Sequence, residues 1–159
     1  MRSVLISIKP KYCELIALGK KTVEIRKTKP RLEPPFKVYV YCTKDEPLYR
    51  SGDKFWCKKA NDFGNGKVIG EFVCDKILTV RYRGCSYVCD DVGCDENDRI
   101  AAASQLDLYD MRKYLSCNDG YAWHIKDLVM YDYPKYLIET SKKIKKAPHS
   151  WCYVDEMEV

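Results

Sequence analysis

The chain has 159 residues, the size of one ordinary domain. Hydrophobic residues make up 46% of it, which is enough for a folded core and excludes wholesale disorder. The formal net charge of +5 permits a polyanionic partner without requiring one. No stretch approaches the roughly 20 apolar residues of a membrane span, and no signal-peptide pattern is present. We therefore expect a single domain, without membrane contact, in the cytoplasm.

Hydrophobic periodicity and turn residues divide the chain into strands and helices. In chain order the pattern predicts strand 3–8, helix 10–18, strand 22–26, strand 36–42, strand 68–80, helix 106–115, strand 121–133 and strand 150–154. Pro10 is suited to the first turn of the first helix, and Gly19 to its end. We also expect Trp56 to lie in the core and residues 62–66 to form a turn.

These elements favour one fold class. About five or six strands flanked by two or three helices, with one helix between the first two strands, indicate an α+β fold, a mixed β-barrel rather than a doubly wound sheet. Residues 84–99 are rich in Cys, Asp and Gly and show no hydrophobic periodicity, so we interpret them as an exposed insertion. Residues 1–159 are predicted to form a single domain that carries this insertion.

The nine cysteines are odd in number and irregularly spaced, which favours reduced thiols over disulfides. Those with apolar neighbours are expected in the core: Cys13, Cys42, Cys74 and Cys152. The cluster of Cys85, Cys89 and Cys94 has acidic neighbours and is the one zinc candidate, but it lacks a C-x-x-C pair. We predict no metal, no cofactor and, in reducing conditions, no disulfide.

The stretch from Ile8 to Arg26 resembles the opening of ASCH-domain proteins, a PUA-like family. In that family a strand and a proline-led helix precede the motif G-x-K-T-x-E-x-R, which here begins at Gly19. Later blocks are similar as well: Gly70–Phe72, Tyr121–Ile125 and Trp151–Val154. The resemblance spans most of the chain except 84–99. It implies a PUA-like barrel with a cleft between barrel and helices, and a protein that binds RNA or acts on an acylated nucleoside.

The strand at 22–26 carries the candidate site. Strict alternation predicts Val23 and Ile25 on the buried face and Thr22, Glu24 and Arg26 together on a concave surface. A hydroxyl, a carboxylate and a guanidinium offer acceptors and donors for a base edge or a phosphate. The alternative is a salt bridge on an exposed strand face.

Basic and aromatic residues complete the predicted cleft. We expect Lys9, Lys20 and Lys21 to reach phosphate as mobile cations. Trp123 and Trp151 lie in the late blocks and are predicted to stack bases. The predicted function is therefore binding of RNA or a modified nucleoside, with an RNA or nucleotide-like ligand as partner.

Two other functions stay open. One is a small hydrolase, an N-acyl nucleoside amidohydrolase or a ribonuclease, in which Lys21, Thr22 and Glu24 form the catalytic set. In the nucleoside-deacylating relatives the strand reads G-x-K-T-x-T-x-R, and the second Thr is implicated. Glu24 replaces that Thr here. The other is a protein-interaction module that uses the basic first third and the acidic tail.

Overall fold

The computed structural model describes residues 2–44, 64–89 and 97–156. The elements are β1 (Ser3–Ile8), α1 (Pro10–Ala17), β2 (Val23–Arg26), β3 (Phe36–Cys42), β4 (Lys67–Tyr82), β5 (Tyr87–Cys89), α2 (Asn97–Ser104), α3 (Leu108–Leu115), β6 (Gly120–Lys135), α4 (Leu137–Thr140) and β7 (Trp151–Val154). The predicted core position of Trp56, and part of the predicted turn at 62–66, lie outside the described residues. No helix in the described ranges is long and apolar enough to cross a membrane.

The strands form one mixed sheet. Its order is β2-β6-β4-β3-β1-β7, and β5 pairs with β4 as a seventh strand. β1 and β3 are parallel, with Val4 opposite Val38, and the other pairs are antiparallel. Because α1 and β2 lie between β1 and β3 in the chain, the parallel pair has the long crossover that it requires. The mixed α+β class is confirmed.

The number of elements differs from the prediction. The described residues hold seven strands and four helices, not five or six strands and two or three helices. Two of the additional elements are short. β5 has three residues and α4 has four, lengths at which periodicity is not detectable. β5 and the first part of α2 fall within the predicted insertion at 84–99, of which residues 90–96 are not described.

β1 is covered on both faces, because all six of its residues are buried. One face contributes Val4, Ile6 and Ile8 to the main core, where Trp123 is the largest fully buried side chain. The other face places Leu5 in a second layer under α4. A central strand that is covered on both faces has a nearly continuous run of apolar residues in its sequence.

A separate core lies between β2 and α3. Val23 and Ile25 pack there with Met111 and Leu115, while α1 ends at Ala17 and the chain turns at Gly19. Gly19 has a φ of 70°, which an L side chain rarely adopts. The turn delivers Lys21 to the start of β2. β2 is therefore covered on the face predicted to be apolar.

Candidate functional site

β2 has two buried faces. As predicted, Val23 and Ile25 lie in the core under α3. Glu24 and Arg26 occupy the opposite face, yet each is only 7% exposed. Thr22 precedes the strand and is exposed. The polar face of β2 is thus an interior one, and its charges must be satisfied by neighbouring groups.

Lys21, Glu24 and Arg26 form a buried ion cluster. The two oxygens of the Glu24 carboxylate are divided between the cations, with Oε2 3.1 Å from Lys21 Nζ and Oε1 2.9 Å from Arg26 Nη2. Lys21 is 2% exposed, and its Nζ also donates to the carbonyl of Ser104 at 2.6 Å. The cluster carries two positive charges and one negative charge, an excess of one cation inside the protein.

The protonation state of Glu24 follows from these contacts. Burial by itself raises the pKa of a carboxyl, but the nearby charges of Lys21 and Arg26 outweigh it, and the pKa of Glu24 lies below its ordinary value. Glu24 is therefore a carboxylate at neutral pH. A charged acceptor is held at the centre of the cluster.

Some polar atoms of this region have no hydrogen-bond partner in the described part of the chain. They are Arg26 Nε, Glu24 Oε2 and the indole Nε1 of Trp123. Of these, Glu24 Oε2 has an ionic partner, because it lies 3.1 Å from Lys21 Nζ. Buried polar atoms are nearly always paired, so the free Nε of Arg26 marks a place for a ligand or ordered water.

Four partly exposed aromatic rings surround the cluster. Lys21 Nζ lies 5.1 Å from the ring centre of Tyr12, and the phenol of Tyr114 contacts the Arg26 guanidinium. Tyr121 is opposite Arg26 in the β2–β6 ladder. The fourth ring belongs to Trp151, the first residue of β7. It directly follows Ser150, whose hydroxyl accepts a hydrogen bond from Arg26. Two exposed lysines lie over these rings: Lys27 over Tyr114 at 5.4 Å and Lys29 over Tyr121 at 5.4 Å.

The site lies where the two ends of the sheet approach each other. In the part of the chain that the structure describes, β2 and β7 are the first and last strands in the sheet order. Side-chain hydrogen bonds connect the two. Arg26 Nη2 donates to Ser7 O at 2.6 Å and Nη1 to Ser150 Oγ at 3.2 Å. The Trp151 indole donates to Thr28 Oγ1 at 2.9 Å. We call this junction the β2–β7 seam.

Comparison with known proteins defines the fold. No family model matches the sequence, and no curated protein matches it. The crystal structure of the ASCH protein from Zymomonas mobilis matches 96% of this chain and 87% of that chain, with 18% identity and a TM-score of 0.68. A mutant of that protein matches 96% and 90%, with 17% identity and a TM-score of 0.67. This chain has the ASCH fold.

The ASCH fold brings several predicted site residues together and separates others. Lys21, Glu24 and Arg26 form the cluster, and Trp151 lies at its edge. Lys9 and Lys20 are exposed near the two ends of α1, so they remain available as mobile cations. Lys21 is not mobile, because the carboxylate of Glu24 and the carbonyl of Ser104 hold its ammonium in the interior.

Trp123 needs a different interpretation from the base-stacking one. Its ring has no exposed surface and is packed edge-on against Phe36, with centroids 6.0 Å apart, and against Trp151 at 5.8 Å. A base cannot reach a ring that is covered on its faces, so Trp123 supports the site from behind. Trp151 is partly exposed and keeps its predicted position at the surface.

Sequence reasoning missed several residues of the site. Ser104 and Ser150 supply the acceptors for Lys21 and Arg26, and Tyr12 covers the Lys21 ammonium. Serines have no local signature for such a role. Tyr12 lies two residues after Pro10 on α1, among the apolar residues of that helix.

The proposed hydrolase set is only partly assembled in this ASCH fold. Lys21 and Glu24 are in contact, but Thr22 is exposed while both of its partners are buried. Both polar groups of the Thr22 backbone are hydrogen-bonded: the N–H donates to Ala103 O, and the carbonyl accepts from Ile125 N. A nucleophile needs its base within hydrogen-bond reach. The exposed Thr22 and the buried Lys21 and Glu24 therefore do not share one environment.

The cysteines of the described residues are free thiols. Cys13, Cys42 and Cys74 are buried as predicted, and Cys152 is half-buried. Cys94 lies outside the described residues, so the predicted absence of a metal at its cluster stays a prediction. Within the described ranges no group of three His, Cys, Asp or Glu side chains could hold a metal ion.

Thiol accessibility gives a direct test of this packing. With an aromatic disulfide reagent, Cys85 and Cys117 are expected to react within the first phase, because both are exposed. Cys13 and Cys74 should react only after unfolding, because burial raises the pKa of both thiols, that of Cys74 to about 12. Peptide mapping after a short labelling pulse distinguishes these sites. Early labelling of Cys13 would contradict the placement of α1.

A cleft of about 490 Å³ lies on the other side of β7, between its end and the segment after α4. Its lining includes Arg2, Lys142 and Tyr153, together with Glu139 and Asp155. Cations and carboxylates alternate there, and Lys143 is paired with Asp155. This balance of charges gives no preference for an anion, which distinguishes the cleft from the ion cluster at β2.

Proposed function

We propose that this ASCH-fold domain binds RNA or a nucleotide-like ligand at the β2–β7 seam, as a PUA-like barrel whose cleft opens there. The observation that carries the proposal is the unpartnered Nε of Arg26 beside the Glu24 carboxylate, in an ion cluster with one excess positive charge. A base edge offers an acceptor and a donor side by side and complements such a pair.

The surroundings of the cluster suit a nucleotide. Partly exposed rings of Tyr12, Tyr114, Tyr121 and Trp151 provide faces on which a base can stack. Lys27 and Lys29 place two exposed cations over the rings of Tyr114 and Tyr121, where they can contact the phosphate of a bound nucleotide. The base would be recognised by the buried groups and the phosphate by the exposed ones.

Binding is expected to depend on the rim lysines and on salt. Lys27→Gln and Lys29→Gln should each weaken binding of a short single-stranded RNA. Each should also reduce the slope of log affinity against log salt by about one, because each removes one phosphate contact and its released counterion. The measurement is fluorescence anisotropy of a labelled RNA at several salt concentrations.

Lys142→Gln is the matched control. It removes the same charge from an exposed lysine beside the cleft on the other side of β7, so binding and salt slope should stay at the wild-type values. Equal losses in all three variants would mean that net charge and not the seam determines binding. Incubation of the wild type with acylated nucleosides in the same series separates binding from turnover. Salt-independent binding to a protein would favour the interaction module.

A further inference from the structure

A second polar cluster lies away from the seam, where the β4–β5 turn meets the end of α3. The turn is tight: Arg83 N donates to Ser86 O at 2.9 Å, and Gly84 has a φ of 78°. After α3 the chain reverses through Ser116 and Cys117, which have φ values of 53° and 58°. Cys85 in the turn and Cys117 after the helix are both exposed.

Several contacts hold these two segments against each other. Arg112, in the last turn of α3, donates from Nη2 to the carbonyl of Cys85 at 2.5 Å. The backbone N–H of Tyr82 donates to Asp119 Oδ1 at 2.8 Å. The phenol of Tyr82 contacts the Cys117 thiol and also donates to the carbonyl of Gly84, the residue before Cys85. One phenol therefore lies next to both cysteine segments.

The same place holds polar groups without partners in the described part of the chain. They are the hydroxyl of Tyr87, a residue only 5% exposed, and Nε of Arg112. The rings of Tyr82 and Tyr87 are 5.2 Å apart, so the Tyr87 hydroxyl belongs to the same cluster. Both unpartnered groups are donors. The Arg112 guanidinium contacts the Cys85 backbone and the Tyr82 phenol contacts the Cys117 thiol, so the two cysteine segments lie in one polar environment.

We propose that Cys85 and Cys117 are a reversible redox pair that forms a disulfide between the β4–β5 turn and the end of α3. The oxidant is a small disulfide of the glutathione class. One cysteine thiolate attacks the small disulfide, forms a mixed disulfide and releases one small thiol. The second cysteine thiolate then attacks the protein sulfur of that mixed disulfide and releases the second small thiol. The two protons lost by the cysteines are taken up by the two released thiolates.

The other cysteines of the described residues do not offer such a pair. Cys13, Cys42, Cys74 and Cys89 are buried. Cys152 is half-buried in β7. Among the described cysteines, Cys85 and Cys117 combine exposure with contacts that hold their two segments together.

The experiment equilibrates the full chain with reduced and oxidised glutathione, quenches with acid and maps unreduced peptides by mass spectrometry. The expected product joins the peptides that contain Cys85 and Cys117. In Cys85→Ser and in Cys117→Ser the remaining thiol should carry glutathione instead. Cys152→Ser, the control, should leave the disulfide unchanged.

Tyr82→Phe tests the geometry without removing a thiol. The ring and its packing stay, but the hydroxyl that contacts both segments is lost. The equilibrium constant for disulfide formation should fall about fivefold, which corresponds to the net free energy of one neutral hydrogen bond. An unchanged constant would overturn the role of Tyr82 in bringing the segments together. Mixed disulfides alone at both sites, or pairing of Cys85 with Cys89 or Cys94, would overturn the pair itself.

Discussion

Glu24→Gln is expected to lower the free energy of unfolding by about 3–5 kcal/mol, because it leaves two cations in the interior without a counter-charge. Glu24 contacts Lys21 at 3.1 Å and Arg26 at 2.9 Å, and all three side chains are buried. The amide of Gln keeps the volume, so the loss reports the charge and not a cavity. Urea unfolding of both proteins at neutral pH measures it.

The matched control is Asp155→Asn. Asp155 pairs with Lys143 at the surface, and both side chains are largely exposed. Exposed ion pairs contribute little because solvent and salt screen them. This variant should unfold at the wild-type midpoint. A similarly small effect of Glu24→Gln would mean that water reaches the cluster, and that its charges do not depend on one another.

The same carboxylate is expected to make stability depend on acid pH. The pKa of Glu24 in the folded protein lies below its ordinary value, so the unfolded chain takes up a proton more readily. The stabilisation is therefore complete above the unfolded pKa, near 4.5, and is lost as the pH falls through the depressed folded pKa. Unfolding curves at a series of acid pH values should show a shallower decline for Glu24→Gln than for the wild type.

The sequence was sufficient to predict which residues of β2 share a face. Side chains of a strand alternate, so Val23 and Ile25 had to be separated from Glu24 and Arg26 whatever the rest of the chain did. What covers each face depends on residues far away in sequence. Lys21 and Arg26 find Ser104 and Ser150 at separations of 83 and 124 residues. No local pattern predicts those contacts.

The same limit explains why Trp123 and Lys21 were assigned surface roles. Both residue types are common at nucleic-acid sites, and both lie in blocks that resemble the ASCH family. Their burial follows from the position of β6 inside the sheet, between β2 and β4, and from the ion cluster that neutralises Lys21. Strand order is set by long-range pairing, which a single sequence does not report.

Trp123→Ala is expected to lower the free energy of unfolding by about 3–5 kcal/mol, because it empties the largest fully buried side-chain position of the main core. Phe36 packs edge-on against this ring at 6.0 Å and Trp151 lies at 5.8 Å, so both would lose their neighbour. Glu24 is opposite Trp123 in the β2–β6 ladder, and the ion cluster would lose one wall.

The comparison with Trp151→Ala separates support from recognition. Trp151 is partly exposed, so its removal should cost less stability than that of Trp123. If its ring stacks on a base, however, RNA affinity should fall by roughly 1–3 kcal/mol with the salt slope unchanged. Urea unfolding and RNA titration of both variants, at a temperature where each is folded, measure the two effects. Trp123→Ala that unfolds at the wild-type midpoint yet binds RNA more weakly would reverse the assignment. Trp123 would then be the stacking ring, and the seam would have to open to admit the base.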